Sequence, residues 1–453
     1  MKKKCTPLFI VILIFFKYSC SYGAYSIDDL RYENGAIDKQ IEECTKVLAT
    51  PCCSNDVAYL NCGNAHYTQK EYDKAIKDYT RAVELNPGNT MAYKGRGNTY
   101  YMKRLFDQAI ADYTKAIVLD PKFAAAYKDR GNAYKNKGLY DEAIADFGKA
   151  IDLNPKYVNA YTQRGDVYYI KGFYDKAMAD FGKAIDLDPK DANAYTHRGD
   201  AYYTKEFYDK AIADYSKVIA LHPEDVNAYI YRGNAYDDKG LYDDAIADYT
   251  KAIDLTPKFS HAFGERGVAQ FKKGFYDEAM ADFGKAIDLD PKDVSAYTHR
   301  GDAYYIKGFY DKAIADYGKA IDLDPKNEYA YLCLMISTWL SNGNDEGVAD
   351  KLRRYVSSNS SDGWIRIISK YYLGMDGLNE QSVLAEATKS TDDRVRMQRL
   401  CEAYYYLGVK RLVAGNRRGA ADYFTKSVKT DEKSFLEYMA AEAMLSRMRE
   451  GTP

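Results

Sequence analysis

A period of 34 residues, kept through eight consecutive units from Asp56 onward without insertion or deletion, constrains this chain more than anything else in it. Three markers hold the register independently: glycine from Gly63 to Gly301, alanine from Ala75 to Ala313, and proline from Pro87 to Pro325, each in steps of 34. Such a period is the mark of a repeat architecture, in which one small unit is stacked many times. It also explains why Tyr occurs 46 times and Trp only twice: one aromatic is reused at equivalent places.

The unit Ala124 to Tyr157 shows the chemistry. Tyr127, Gly131 and Tyr134 lie at i, i+4 and i+7, which puts them on one face of a helix. Gly138 breaks that helix; Ala143, Phe147 and Ala150 form a second stripe; and Pro155 stops the second helix, because proline cannot continue one. Each unit therefore reads as helix A, turn, helix B, turn. Glycine inside a helix costs up to about 1 kcal/mol relative to alanine, so its recurrence in helix A implies close packing against helix B. A single pair of short helices cannot bury both stripes, whereas stacked neighbours can.

The pattern aromatic, Gly, aromatic, Ala, aromatic, Ala, Pro at this spacing resembles the tetratricopeptide repeat closely. The resemblance implies an all-α fold: a right-handed superhelical solenoid of antiparallel helix pairs with helical caps. One departure is Arg96, Arg130, Arg164, Arg198, Arg232, Arg266 and Arg300, where the family usually has an apolar residue before the Gly. Asp recurs as faithfully on helix B, from Asp78 to Asp316. An Arg–Asp pair between helices is expected, against two independently solvated charges, and surface pairs contribute little.

The ends are less regular. Residues 1–23 read as a signal peptide: Lys2, Lys3 and Lys4 precede an apolar run from Leu8 to Phe16, and Ser21 and Gly23 suit a cut before Ala24. The run is too short to span a bilayer comfortably. Cys20 offers a lipidation site, but Lys17 stands where a lipobox wants an apolar residue. Membrane attachment is expected only if the signal is retained or Cys20 is lipidated. Residues 24–55 read as an N-terminal cap, with Asp38 to Leu48 resembling helix B of a half-repeat. Cys44, Cys52, Cys53 and Cys62 crowd there, and in an oxidising compartment one or two disulfides are expected, with unpaired thiols as the alternative. Their spacing lacks the C-x₂₋₄-C steps of structural zinc sites. After the eight repeats of residues 56–327, residues 328–400 read as degenerate helical sequence. A C-terminal repeat follows at 401–434, with Tyr404, Leu407, Gly408, Ala420 and Phe424 in place, and 435–453 read as a closing helix and tail. The stretches Trp364 to Gly374, Glu402 to Gly415 and Ala420 to Val428 resemble NlpI-like envelope lipoproteins of Gram-negative bacteria. That resemblance implies an exported adaptor of the periplasm or outer envelope that holds cell-wall hydrolases and a protease together.

In the tetratricopeptide fold, the helix A residues after the Gly face the concave surface. Here they are Asn64, Asn98, Asn132, Asp166, Asp200, Asn234, Val268 and Asp302, followed three residues on by Tyr67, Tyr101, Lys135, Tyr169, Tyr203, Asp237, Phe271 and Tyr305. Amides and carboxylates can bond the main chain of an extended ligand, and tyrosine offers contact area with few rotors to freeze. The partner-binding residues expected from this are Asn64, Tyr67, Asn98, Tyr101, Asn132, Asp166, Tyr169, Asp200, Tyr203, Asn234, Asp302 and Tyr305; the alternative is that they only pack and solvate. Lys94 with Asn98, and Lys128 with Asn132, resemble half of the clamp by which some tetratricopeptide repeats capture a C-terminal carboxylate, but Asp129 and Gln163 stand where the other half would need a base, which argues against a clamp here.

A net charge of −2 with no basic stripe argues against nucleic acid. Neither catalytic nor phosphate-binding motifs are present, and His197 and His299 are equivalent repeat positions rather than a converging site. Asp186 to Asp191 lacks the turn Gly and distal Glu of a calcium loop. No cofactor or metal is expected. The sequence thus points to a non-enzymatic protein-binding scaffold of the cell envelope. Its alternatives are a secreted or surface protein that binds a host or neighbouring protein, and a structural part of an envelope assembly complex.

Overall fold

The computed structural model describes residues 56–343, 345–358, 363–433 and 435–450, and every regular element in them is α-helical. The expected leader, the half-repeat and Cys44, Cys52 and Cys53 lie outside the described residues. The chain divides into two compact units, one ending at Pro189 and one beginning at Lys190.

The first unit holds four helix pairs: α1 (Asp56–Thr68) with α2 (Tyr72–Leu85), α3 (Thr90–Met102) with α4 (Phe106–Leu119), α5 (Ala124–Asn136) with α6 (Tyr140–Leu153), and α7 (Val158–Ile170) with α8 (Tyr174–Leu187). The second holds four more: α9 (Ala192–Thr204) with α10 (Tyr208–Leu221), α11 (Val226–Asp238) with α12 (Tyr242–Leu255), α13 (Ser260–Lys272) with α14 (Tyr276–Leu289), and α15 (Val294–Lys307) with α16 (Tyr310–Leu323). Helix A opens with a side-chain cap where the residue allows it. Asn89 accepts from the Ala92 N–H at 3.0 Å, and Asp191, Asp225, Asp293 and Asn327 do the same, satisfying donors that a helix start leaves orphaned. Asp191 is thus a cap beside a proline turn. The A–B turn needs one left-handed residue: Gly138 has φ 77°, while Arg104 and Glu206 hold φ 60° at the same repeat position, a conformation that favours glycine.

Gly131 shows why helix A carries a glycine. A Cβ there would sit 2.7 Å from Phe147 Cε1, and Gly165 meets Phe181 in the same way. Within each unit burial then passes from repeat to repeat. Ala143 and Phe147 pack with Val167 of the next repeat, and Ala150 and Ile151 with Ala160, so each pair's apolar stripe is closed by its neighbour. In the second unit Ala211, Tyr215 and Ala235 repeat the arrangement.

The Arg–Asp pairs form, and they are not at the surface. Arg96 Nε and Nη2 donate to both carboxylate oxygens of Asp112 at 2.7 and 2.8 Å, and the same fork recurs at Arg130–Asp146, Arg164–Asp180, Arg198–Asp214, Arg232–Asp248, Arg266–Asp282 and Arg300–Asp316. The Asp side chains are only 7–10% exposed, which corrects the expectation of weak surface pairs. Arg Nη1 also donates to the preceding repeat's helix B, at Thr80, Thr114, Ser216 and Thr250, tying repeats together. In the first repeat Cys62 replaces the arginine, and Asp78 bonds His66 Nδ1 instead, at 2.7 Å.

Beyond the eighth repeat come α17 (Glu328–Asn342), α18 (Glu346–Ser358), α19 (Trp364–Tyr372), α20 (Glu380–Ala387), α21 (Asp393–Val413), α22 (Arg417–Val428) and α23 (Leu436–Glu450). The boundary expected at Cys401 falls inside α21. Gly408 nevertheless meets the Phe424 ring at 2.6 Å from a notional Cβ, the close approach seen at Gly131. Here the core is no longer a chain of small clusters: residues from Phe271 to Met444 form one large one. Cys333 and Cys401 are buried in it as thiols.

Candidate partner-binding face

Helix A of successive repeats presents the residues that the sequence singles out, and the structure first uses many of them internally. Tyr79 Oη donates to Asn64 Oδ1 at 2.7 Å, Tyr113 to Asn98 at 2.9 Å, Tyr215 to Asp200 at 2.8 Å, Tyr249 to Asn234 at 2.8 Å and Tyr317 to Asp302 at 2.7 Å. The ladder of amides and carboxylates is therefore half engaged by its own repeat. Because each Asn is held through Oδ1, its NH₂ group lies outside that bond and keeps two donors for a carbonyl. Where helix B carries phenylalanine the donor is missing. Asn132 Oδ1, opposite Phe147, is buried without a hydrogen-bond partner.

The second row is aromatic and paired. Tyr67 packs on Tyr72, Tyr101 on Phe106, Tyr169 on Tyr174, Tyr203 on Tyr208 and Tyr305 on Tyr310, with ring centroids 5.4–5.9 Å apart. The first four helix A tyrosines are half-buried, so each both packs and shows part of its ring. Tyr101 Oη accepts from Asn136 Nδ2 at 2.8 Å, and Tyr203 Oη donates to Asp238. Their ring partners at the start of helix B were not chosen from the sequence, although the recurring Tyr-Asp dipeptide there was visible.

Asp302 and Tyr305 are corrected outright. They are 5% and 4% exposed, and Tyr329 Oη adds a second bond to Asp302 at 3.0 Å, while Tyr305 bonds Tyr405 through their hydroxyls. Burial pushes the Asp302 carboxyl up to about 7. The cause is the C-terminal part of the chain, which turns back onto α15 and the start of α16: Tyr405 of the C-terminal part meets Tyr305, Tyr310 Oη reaches Met444 Sδ at 4.0 Å, and the Arg447 guanidinium lies 5.7 Å over the Tyr310 ring. Helix α23 thus covers residues of the eighth repeat.

The two faces differ in charge. In the first unit Lys94 and Lys128 both reach Asp129, at 3.2 and 2.6 Å, and Lys135 binds Gln163 at 2.6 Å and Asp166 at 3.3 Å. The clamp lysines are thereby neutralised by the residue that occupies the clamp's second half. In the second unit Asp200, Asp237 and Glu265 all have raised pKa values, burial being the first cause, and only Lys272 answers Asp237. Among the described residues no three His, Cys, Asp or Glu side chains are grouped as metal ligands, and no helix is long and apolar enough to cross a membrane. His299 is stacked on Phe283 at 5.6 Å, and burial lowers its pKa.

Comparison with known proteins matches family profiles described as TPR repeat to residues 131–172, 165–206, 267–308 and 301–334. Others described as tetratricopeptide repeat match 57–89, 91–123, 112–145 and 196–258. No curated protein matches the chain. Among solved structures, one described as MamA protein is 31% identical over 37% of this chain and 92% of its own, with a TM-score of 0.36. YrrB, described as a TPR protein with an unusual peptide-binding site, is 25% identical over 41% and 95%, at 0.37. A tetratricopeptide repeat protein from Parabacteroides merdae is 20% identical over 55% and 98%, at 0.42.

Proposed function

The chain belongs to the tetratricopeptide-repeat family, and from that premise we propose that it is a non-catalytic scaffold that holds partner proteins on the helix A face of its repeats. The observation that carries this reading is the row of half-buried tyrosines Tyr67, Tyr101 and Tyr169 beside the amides Asn64, Asn98 and Asn132. Rigid aromatics supply contact area at small entropic cost, and the amide donors suit peptide carbonyls. In the full chain, Tyr67→Ala, Tyr101→Ala and Tyr169→Ala together should abolish capture of its partners while circular dichroism stays helical. An unchanged set of captured proteins would refute the reading.

The place of work belongs to the same proposal: export by residues 1–23, and an adaptor role in the periplasm or outer envelope, on the NlpI-like stretches of the C-terminal third. Cell fractionation tests it. Envelope protein beginning at Ala24 supports the adaptor; protein found only in the culture medium replaces it with the secreted-binder reading; cytoplasmic protein retaining residues 1–23 sinks both.

A further inference from the structure

The helix A face of the second unit already holds one helix, and its manner of holding it is informative. In the eighth repeat the ring pair Tyr305–Tyr310 receives α23 through Met444 and Arg447. In the seventh, Phe271 packs edge-on against Tyr276 at 5.4 Å and joins Tyr305, Tyr405, Met439 and Met444 in one cluster, and Glu442 of α23 lies close enough to Tyr276 to act on its hydroxyl. An amphipathic helix presenting methionine and arginine is thus what the eighth repeat's ring pair takes, and the seventh meets the same helix through Glu442.

The fifth repeat carries the same pair with nothing from α23 upon it. Tyr203 and Tyr208 sit 5.8 Å apart at 65°, against 5.7 Å and 61° for Tyr305 and Tyr310, and both rings remain partly exposed. Carboxylates surround them. Asp238 accepts from Tyr203 Oη, and Asp238 and Glu206 both act on Tyr208. Asp237, whose side chain is 11% exposed, has Oδ2 on Lys272 and Oδ1 buried without a hydrogen-bond partner; Gln270 Oε1 is buried in the same condition. Lys272 answers Asp237, Tyr203 answers Asp238, and a cation that the chain itself brings near Tyr208 is Arg394, at the start of α21. A guanidinium answers both features, since it stacks on an aromatic face and forks to a carboxylate.

We propose that Tyr203–Tyr208, with Asp237 and Asp238, docks an amphipathic helix of a partner protein that presents an arginine, as α23 presents Arg447 to Tyr310. The site lies within the second unit and rests on the protein-binding reading. It requires that the α23 sequence, supplied in trans, be a sufficient ligand.

The test is fluorescence anisotropy of a labelled peptide of residues 436–450 titrated with the full chain at low salt. Saturable binding is expected, weakened about tenfold or more by Tyr203→Ala with Tyr208→Ala in the chain, and similarly by Arg447→Ala in the peptide. Asp237→Asn with Asp238→Asn, which leaves both rings in place, should weaken binding and flatten its salt dependence. A peptide with Ala441→Pro, unable to form the helix, should bind more weakly still. No saturable binding, or binding indifferent to Tyr203 and Tyr208, overturns the inference; equal binding of the proline peptide overturns its helical part. A chain that loses its partners through Tyr67, Tyr101 and Tyr169 but ignores this peptide overturns this inference alone.

Discussion

The regular repeats and the C-terminal third bury charge in different ways. Across the repeats one solution is reused: a forked Arg–Asp pair whose guanidinium stays 16–22% exposed and can turn to water. In the C-terminal third each charge has its own arrangement. Arg366, 3% exposed, is held by both oxygens of Glu328 at 2.9 and 3.0 Å, while Glu437, itself buried, accepts from Tyr406 Oη at 2.9 Å. A stack of identical bricks tolerates a local loss because each repeat touches only its neighbours; a single large cluster shares the loss.

The sharpest way to break this comparison is to remove one acid from each region. Glu328→Gln leaves Arg366 buried beside a neutral amide and should cost about 3–5 kcal/mol, seen as collapsed hydrogen-exchange protection across α17 and α19. Equal protection in the variant would show that the C-terminal cluster opens to water more readily than its burial implies.

Acidity gives the next largest effect. Asp302, pushed up to about 7 by burial and hydrogen-bonded by Tyr317 and Tyr329, binds a proton in the folded chain that the unfolded chain releases near its ordinary value. Glu402 is pushed up to about 8 by burial, with Glu437 adding to it. Between about pH 4 and pH 7 the folded state therefore holds more protons, and stability falls as pH rises. The change from Asp302 is on the order of 2–4 kcal/mol at 1.36 kcal/mol per unit. Urea midpoints of the second unit should rise on going from pH 8 to pH 5, and Asp302→Asn should reduce that rise without abolishing it, because Glu402 remains. A midpoint flat in pH would break the prediction.

Within the regular array the matching experiment is Asp180→Asn. Arg164 keeps access to water, so the cost should be about 1–3 kcal/mol, confined in hydrogen exchange to α7, α8 and their neighbours. A cost equal to that of Glu328→Gln would erase the distinction between the two regions.

The regular half was legible because every constraint on it repeats. One glycine opposite a ring is an oddity, whereas eight in register fix the helix pair and its close approach. The Arg–Asp partners could be read for the same reason. Their depth could not, because periodicity tells which face a residue lies on but not that tyrosines at i−3 and i+4 roof the guanidinium, as Tyr127 and Tyr134 do over Arg130 at 5.7 Å. The ladder of Lys137 to Asp107, Lys171 to Asp141 and Lys239 to Asp209 between repeats went unread too, since its partners lie 30 residues apart with no local signal. Asp302 and Tyr305 misled for a tertiary reason. They occupy the same repeat positions as Asp200 and Tyr203, and what distinguishes them is the return of α21 and α23 together with Tyr329, which stands where the fifth repeat's neighbour has Asn227.

The smallest expected effect bears on that repetition itself. The para carbon of Phe147 meets a notional Gly131 Cβ at 3.1 Å, and that of Tyr113 meets Gly97 at 3.3 Å, so the two rings are seated alike. Tyr113 spends its hydroxyl on Asn98 Oδ1 at 2.9 Å; Asn132 Oδ1 waits at the equivalent place without a donor. Phe147→Tyr should supply it, and satisfying a buried acceptor contributes about 0.5–1.5 kcal/mol. The reverse change, Tyr113→Phe, should cost about as much by orphaning Asn98. Paired urea titrations of the two variants measure both, and a destabilising Phe147→Tyr would mean that the third repeat has closed over the space that its neighbour leaves for a hydroxyl.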